Sequence, residues 1–405
     1  MRKSFLVLPA AGAALALAAP AGATSFTTAQ LGQASAGLQA MRELNLIVFN
    51  DLTSGAEVEG KTFVGGSISG NAENFGIGSV AHPSQGFTAS SRDTLTVGGN
   101  VGANIQINNG ANGTSGKVAT GSDNRGTIGG SLTGTATLNA TPATLRIGGS
   151  MNGQNFNPNA SKTATYGTTV SNIQTQDAAY ITKDASLANA ATGLAATIAS
   201  QRSTLVASLS QLSSVLGSLT TNATFNTSDH NNLHLDYSSA ASTADFVVAN
   251  VNASDLMGYS GTLNLNLLGN AGAYKTTVIN VIGAGDYTYL LNNNDNQGSN
   301  NQNVIWNFQD ASSIALNSFF HGSLLATNST VSNQTAVEGS VVASAFRQNG
   351  EVHLGTFAGT SAIVPAPSTT TGAVPEAATW AMMVIGFGAI GGTIRSQRRR
   401  AQIAA

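Results

Sequence analysis

Four short stretches in the first half of the chain repeat one pattern of apolar and polar positions: Val64-Gly65-Gly66-Ser67-Ile68, Val97-Gly98-Gly99-Asn100-Val101, Ile128-Gly129-Gly130-Ser131-Leu132 and Ile147-Gly148-Gly149-Ser150-Met151. Residues i and i+4 of an extended chain share a face, so both apolar residues of a copy are expected to face one core while Ser or Asn points outward. The glycine pair lets neighbouring backbones approach or bend, as at the corner of a coil. Successive copies start 33, 31 and 19 residues apart. That spacing fits a stacked coil with loops of variable length better than an exact tandem array. The residues between copies are rich in Asn, Gly and Thr, as in 108–112, and read as turns and surface loops.

From residue 177 to 219 glycine thins out and Ala and Leu accumulate. Leu205, Leu209, Leu212, Leu216 and Leu219 advance by 4, 3, 4 and 3, which places them on one helical face. Few charges flank this stripe, which favours packing along the body over a coiled-coil partner. Strand-like runs return at 245–251, 262–268, 276–282 and 304–308, with an Asn-rich loop at 292–303. Alternation continues through 319–342, punctuated by Gly322 and Gly339. The pattern predicts a mainly β chain, a parallel β-helix or β-solenoid with one long amphipathic helix packed alongside.

Both ends differ from this body. Arg2 and Lys3, an apolar run from Phe5 to Ala19, and Ala21-Gly22-Ala23 have the three-part layout of a secretory signal peptide cleaved after Ala23. At the other end, residues 377–394 are uncharged and reach about 27 Å as a helix, enough to span a ~30 Å hydrocarbon core. Arg395, Arg398, Arg399 and Arg400 follow and would hold that end in the cytoplasm. Gly386, Gly388 and Gly391 formally match a dinucleotide-binding loop, but no βαβ unit or downstream acid accompanies them. The expected organisation is a signal peptide (1–23), a β-helical domain (24–362), a Pro/Thr linker (363–374) and a C-terminal membrane helix within 375–400.

Composition narrows the chemistry. Only 9% of residues are charged and 46 are glycine, which suits a repetitive all-β surface protein. Residues 24–374 carry eleven Lys and Arg against eighteen Asp and Glu without a basic stripe, which argues against nucleic acid. Cysteine is absent, excluding a disulfide framework, a thiolate zinc site and a Cys nucleophile.

Candidate catalytic and metal residues are sparse. His230 and His234 sit i, i+4 beside Asp229 and Asp236, but in loop or strand sequence rather than the helix that would align them on a metal. His321 and His353 fall in alternating strands and are expected to be packed or at a rim; His82 completes the five. The glycine-pair segments lack the fifth-position glycine of a nucleophile elbow. Glu59 and Glu338 occupy matching Val-Glu-Gly triplets, which suggests equivalent positions in a repeating architecture more than a glycosidase pair. The only acid in the Asn-rich loop is Asp295, so Ca2+ is possible in principle but has no array behind it. No cofactor and no catalytic residue are assigned, and the expectation is a protein that is not an enzyme.

Asp51-Leu52, Val58-Glu59-Gly60 and Val64-Gly65-Gly66-Ser67 resemble the opening of the choice-of-anchor A family of bacterial surface proteins. The distal residues agree: Val304 through Phe308 around Trp306, His321 through Ala326, Val337-Glu338-Gly339-Ser340 and Gly350 through Leu354. The resemblance covers roughly 45–359 and implies a secreted β-helical domain with an adhesive or matrix role. The closing stretch is also similar to ice-binding solenoids, whose faces need ordered threonine rows; Thr94, Thr96, Thr135 and Thr137 read as isolated pairs. The tail, with Pro375-Glu376, Trp380 and the apolar run ending in arginines, resembles a PEP-CTERM sorting signal, although Ala377 stands where that family has proline. This implies export through the inner membrane, processing by an exosortase-like transpeptidase of Gram-negative bacteria, and display at the surface or in the biofilm matrix; a permanent single-span anchor is the alternative for the same helix. Exopolysaccharide or other surface proteins are the expected partners; a glycan-active enzyme and an ice-binding-like solenoid are the competing readings.

Overall fold

The computed structural model of the protein describes residues 26–71, 73–78, 88, 90–108, 125–139, 141–153, 156–237, 240, 244–265, 276–293 and 300–366. The expected signal peptide with Ala21 and Ala23, the tail with Pro375, Glu376, Trp380, Gly386, Gly388, Arg398, Arg399 and Arg400, and also His82 and Asp295, lie outside these residues. No helix among the described residues is long and apolar enough to cross a membrane.

Parallel strands stack along one axis in the order Ile181–Lys183, Lys162–Tyr166, Ala143–Ile147, Arg125–Ile128, Leu95–Val97, Thr62–Val64, Leu46–Val48, Val341–Gln348, Ser323–Asn333, Val304–Phe308, Thr277–Ile282 and Val247–Asn252. The chain therefore enters in the middle. It winds outward to Ile181–Lys183, crosses back, re-enters at Val247–Asn252 and winds inward until Val341, Val342 and Ala343 pair with Leu46, Ile47 and Val48. This stack is the first face. Shorter strands after each corner form a second and a third face around an apolar interior.

The crossing is α2, Leu194–Gly217, and a shorter α1, Thr28–Glu43, packs beside it. From Ala195, over the rung of Gly129, to Leu216, whose carbonyl accepts from Asn280 Nδ2, α2 passes seven rung spacings. At ~4.8 Å per rung that is about 34 Å, close to the roughly 32 Å rise of the helix over this stretch. Leu205, Leu209, Leu212 and Leu216 are buried against Ile47, Val248, Val278 and Ile305, so central first-face strands are apolar on both sides.

Of the in-register asparagines Asn250, Asn280 and Asn307, the last two bond the end of this helix. Asn307 Nδ2 donates to the Ser213 carbonyl at 3.0 Å and Asn280 Nδ2 to that of Leu216 at 3.0 Å. The sheet thus adds side-chain donors to carbonyls near the end of the helix, where backbone partners run out.

Three expectations need correction. The helix is not continuous over 177–219: residues 177–193 form 3-10 turns at Ala178–Tyr180 and Ala185–Ala188 and the edge strand Ile181–Lys183, paired with Lys162–Tyr166. Sheet pairing overrides the alanine content there, and Leu219 lies beyond the C-cap Ser218 and is only partly buried. The helix is also not alone, since α1 begins in a capping box between Thr27 and Gln30. Finally, the apolar residues of each glycine-pair segment are all buried, but not by lying on one extended strand. Val64 ends one strand and Ile68 opens the next, so they enter the core from two faces across a bend.

The glycines build that bend. A Cβ on Gly98 would strike the Gly65 carbonyl of the preceding rung and sit 3.4 Å from Ile198 of α2. A Cβ on Gly99 would fall where Ser67 Oγ lies. The first glycine column thus stacks backbones at the edge of α2, and the second leaves space for a side-chain oxygen.

Candidate binding surface

That oxygen belongs to a ladder. Asp51 Oδ1 accepts from Ser67 N at 2.7 Å, Ser67 Oγ from Asn100 N at 3.0 Å, Asn100 Oδ1 from Ser131 N at 2.8 Å, and Ser131 Oγ from Ser150 N at 3.1 Å. Asp51, Gly65 and Gly66 are therefore parts of one corner device. It fixes the register of the second face, which starts at this corner.

The second face runs through Leu52–Ser54, Ile68–Gly70, the bridges at Val101 and Leu132, Met151–Asn152 and Val170–Ser171 in one direction. In the other direction it runs through the distal halves of Val341–Gln348 and Ser323–Asn333, then Ala311–Leu316 and Gly285–Tyr289. Leu52, Ile68, Phe346, Val331 and Ile314 point inward. Outward stand Thr288, Ala315, Ser332, Arg347, Thr53 and Ser69 in direct register. Gly102, Thr133, Asn152 and Ser171 continue the series. Ten rungs at ~4.8 Å make a surface about 43 Å long. Apart from Ala315, Arg347 and Gly102 its residues carry short, uncharged polar side chains, and Thr53, Ser69, Thr133 and Ser171 are exposed. Such a face can offer an ordered array of hydroxyls and amides, and it carries no aromatic platform in these positions.

The third face carries the charged residues. Val337, Val352 and Val58 pair across successive rungs, which aligns Glu338, His353 and Glu59 in one column. Glu59 and Glu338 thus occupy equivalent positions one rung apart on either side of His353. Glu338 Oε1 lies 2.6 Å from His353 Nδ1 and Glu351 Oε2 2.8 Å from Nε2, while Glu59 Oε2 accepts from Leu354 N at 2.5 Å. Burial lowers the His353 pKa, but hydrogen bonds and charge from Glu338 and Glu351, with the charge of Glu59, outweigh it and raise the value to about 9. The ring is an imidazolium at neutral pH.

The neighbouring family residues are structural. Asn45 is fully buried, accepts from Gly60 N at 3.0 Å and donates to the carbonyls of Gly339 and His353 at 2.9 and 3.0 Å. Trp306 is buried against Phe225 and Phe320, its Nε1 donating to the His321 carbonyl at 2.9 Å, so it offers no stacking surface. Ser340 Oγ caps the end of α1 through the carbonyls of Met41 and Leu44.

His230 lies in a turn with its ring stacked 3.8 Å from Tyr259, and His234 lies in the strand Asn232–Asp236. Among the described residues no group of three or more His, Asp or Glu side chains is placed to hold a metal ion. Of the threonines read as isolated pairs, Thr96 lies in register beside Thr127, whereas Thr137 pairs with Gln106; other threonines meet across rungs, Thr144 beside Thr163 and Thr165 beside Thr182. They come from different rungs, so local sequence does not reveal the rows, and Arg146 interrupts one of them.

A family described as "Putative Ice-binding-like adhesive domain" matches residues 37–135 and 114–354, the span that contains most of these rungs. The chain belongs to this ice-binding-like adhesive family. Among solved structures it is similar to an ice binding protein from an Antarctic bacterium, Flavobacteriaceae, at 12% identity over 78% of this chain and 97% of that one. The TM-score is 0.21, too low to carry an argument about fold or ligand. No curated protein matches the chain. The adhesive family accords with a surface-associated or extracellular protein; fold and register come from the strand pairing itself.

Proposed function

We propose that the protein is a non-enzymatic, exported adhesin that holds polysaccharide or another matrix surface through its second face. The observation that carries this reading is the ten-rung, in-register face on which seven of the outward positions, Thr288, Ser332, Thr53, Ser69, Thr133, Asn152 and Ser171, carry a short polar side chain. A flat array of regularly spaced donors and acceptors suits a repetitive ligand better than a small substrate. Replacing Thr53, Ser69 and Thr133 together by Lys should abolish retention on exopolysaccharide without changing the melting temperature. Unchanged retention would defeat the assignment. Release of reducing ends from the same polysaccharide, lost in Glu59→Gln or Glu338→Gln, would instead establish the glycan-active enzyme.

The in-register pairs Thr144 with Thr163 and Thr165 with Thr182 favour a second reading, ice binding, and thermal hysteresis of the purified protein tests it. The choice-of-anchor A resemblance and the tail support sorting by an exosortase-like transpeptidase at the inner membrane. Mass spectrometry of the mature C-terminus should find the arginines of 398–400 removed; an intact tail at the surface would make it a permanent anchor.

A further inference from the structure

Where the second face turns into the third, a groove of about 630 Å³ opens above small residues that include Gly55, Ala56 and Ala336. Phe319 stands at its side with 55% of its surface exposed, one of two large hydrophobic residues so exposed among those described. Glu57, Asn349, Glu351 and His353 provide its polar side chains, and no Lys or Arg lines it. Glu57 Oε1 accepts from Asn74 Nδ2 at 2.6 Å, and the Glu351 side chain, 50% exposed, reaches His353 at 2.8 Å. Even with His353 cationic, Glu57 and Glu351 leave the groove acidic, and the buried Glu338 and Glu59 behind the imidazolium add to the field.

We propose that this groove is a binding site for an amine-bearing sugar, a hexosamine unit within a polysaccharide. A pyranose ring has one apolar face, which a single phenyl ring can cover, and a polar rim that half-exposed carboxylates can hold. A protonated amine answers the acidic lining and lies within reach of both the carboxylates and the ring. The small floor residues leave room for the ring, and the position beside the second face lets a chain lying there place one unit in the groove. The proposal deepens the adhesive reading and rests on it.

Binding of the full chain to a β-1,4-linked glucosamine hexamer, its N-acetylated counterpart, the matching glucose hexamer and a lysine hexapeptide tests it by calorimetry. Only the glucosamine hexamer should bind, more weakly as salt rises, and Phe319→Ala and Glu351→Gln should each weaken it about tenfold. Both side chains are about half exposed, so Phe319→Ala should melt with the parent and Glu351→Gln only slightly below it at neutral pH, having lost its bond to His353; Phe319→Leu replaces the alanine variant if that one fails to fold. No binding of the amine sugar, equal binding of the acetylated or glucose hexamer, or unaffected variants would overturn the site. Equal or tighter binding of the lysine peptide would make it a site for basic protein segments instead. If the parent still adheres to exopolysaccharide through Thr53, Ser69 and Thr133 but ignores the glucosamine hexamer, the groove assignment falls and the adhesive reading stands.

Discussion

Glu73 places a carboxyl inside the coil, on the strand that also buries Phe75, with neither oxygen hydrogen-bonded among the described residues. Burial, followed by the charge of Glu57, pushes its pKa well above the carboxylate range. The folded state therefore holds this proton more tightly than the unfolded chain, whose Glu titrates near ~4.3. Stability from this group is complete below that value and is lost as pH rises through the raised one. Glu73→Gln should melt higher than the parent at pH 7 and nearly with it at pH 4; equal melting temperatures at pH 7 would contradict the account. His353 acts in a higher window. Its value of about 9 means that its stabilisation is full below ~6.5 and disappears as pH passes 9. After discounting for solvent screening this is of order 1 kcal/mol. His353→Gln should flatten the loss of stability between pH 6.5 and 9.5 in urea titrations. The matched triplets around Glu59 and Glu338 were legible in the sequence. Their meeting at His353 was not, because the strands that align them come from opposite ends of the domain.

At the scale of elements, the glycine-pair corners and α1 make opposite demands. Gly98→Ala should destabilise by about 1–3 kcal/mol, because the methyl group meets a carbonyl in the stack that cannot move aside. Gly32→Ala, on the exposed side of α1 with nothing within 4 Å of the added carbon, should stabilise by about 1 kcal/mol. Urea titrations of the two variants check both signs, and a neutral Gly98→Ala would remove the steric reason for the corner. The apolar pair and glycine pair of each corner are visible because they are local. What they do is less visible, since a rule for straight strands cannot show that the chain turns between them. The helix α1 has Leu31, Ala34, Leu38 and Met41 buried at helical spacing and a capping box, but small Ala and Gly residues dilute its periodicity. The start of α2 misleads for the reverse reason: residues 177–193 have helical composition but complete the last rung. Rows across rungs, such as Thr144 beside Thr163, depend on loop lengths that no local pattern reveals.

For the whole molecule, closure in the middle decides how it can be cut. A simple solenoid gives up one end rung when its C-terminus is trimmed, and the rest persists on nearest-neighbour contacts. Here the last long strand is central: Val341–Gln348 lies between Leu46–Val48 and Ser323–Asn333. Asn45 reaches 294 residues along the chain to the Gly339 carbonyl, and Thr356 Oγ1 donates to the carbonyl of Arg42 at the end of α1. Ending the chain after Ser340 would leave two bare strand edges in the interior of the stack and strip the cover from α1. Deleting residues 162–183 and bridging the gap with a short Gly-Ser linker would remove only two rungs at one end. The truncation should abolish the cooperative urea transition, whereas the internal deletion should keep it with a smaller m value, since less surface is exposed on unfolding. A truncated chain that still unfolded cooperatively near the parent midpoint would show that the two arms are stable separately, and that the long-range pairing of Leu46 with Val341 does not hold them as one body.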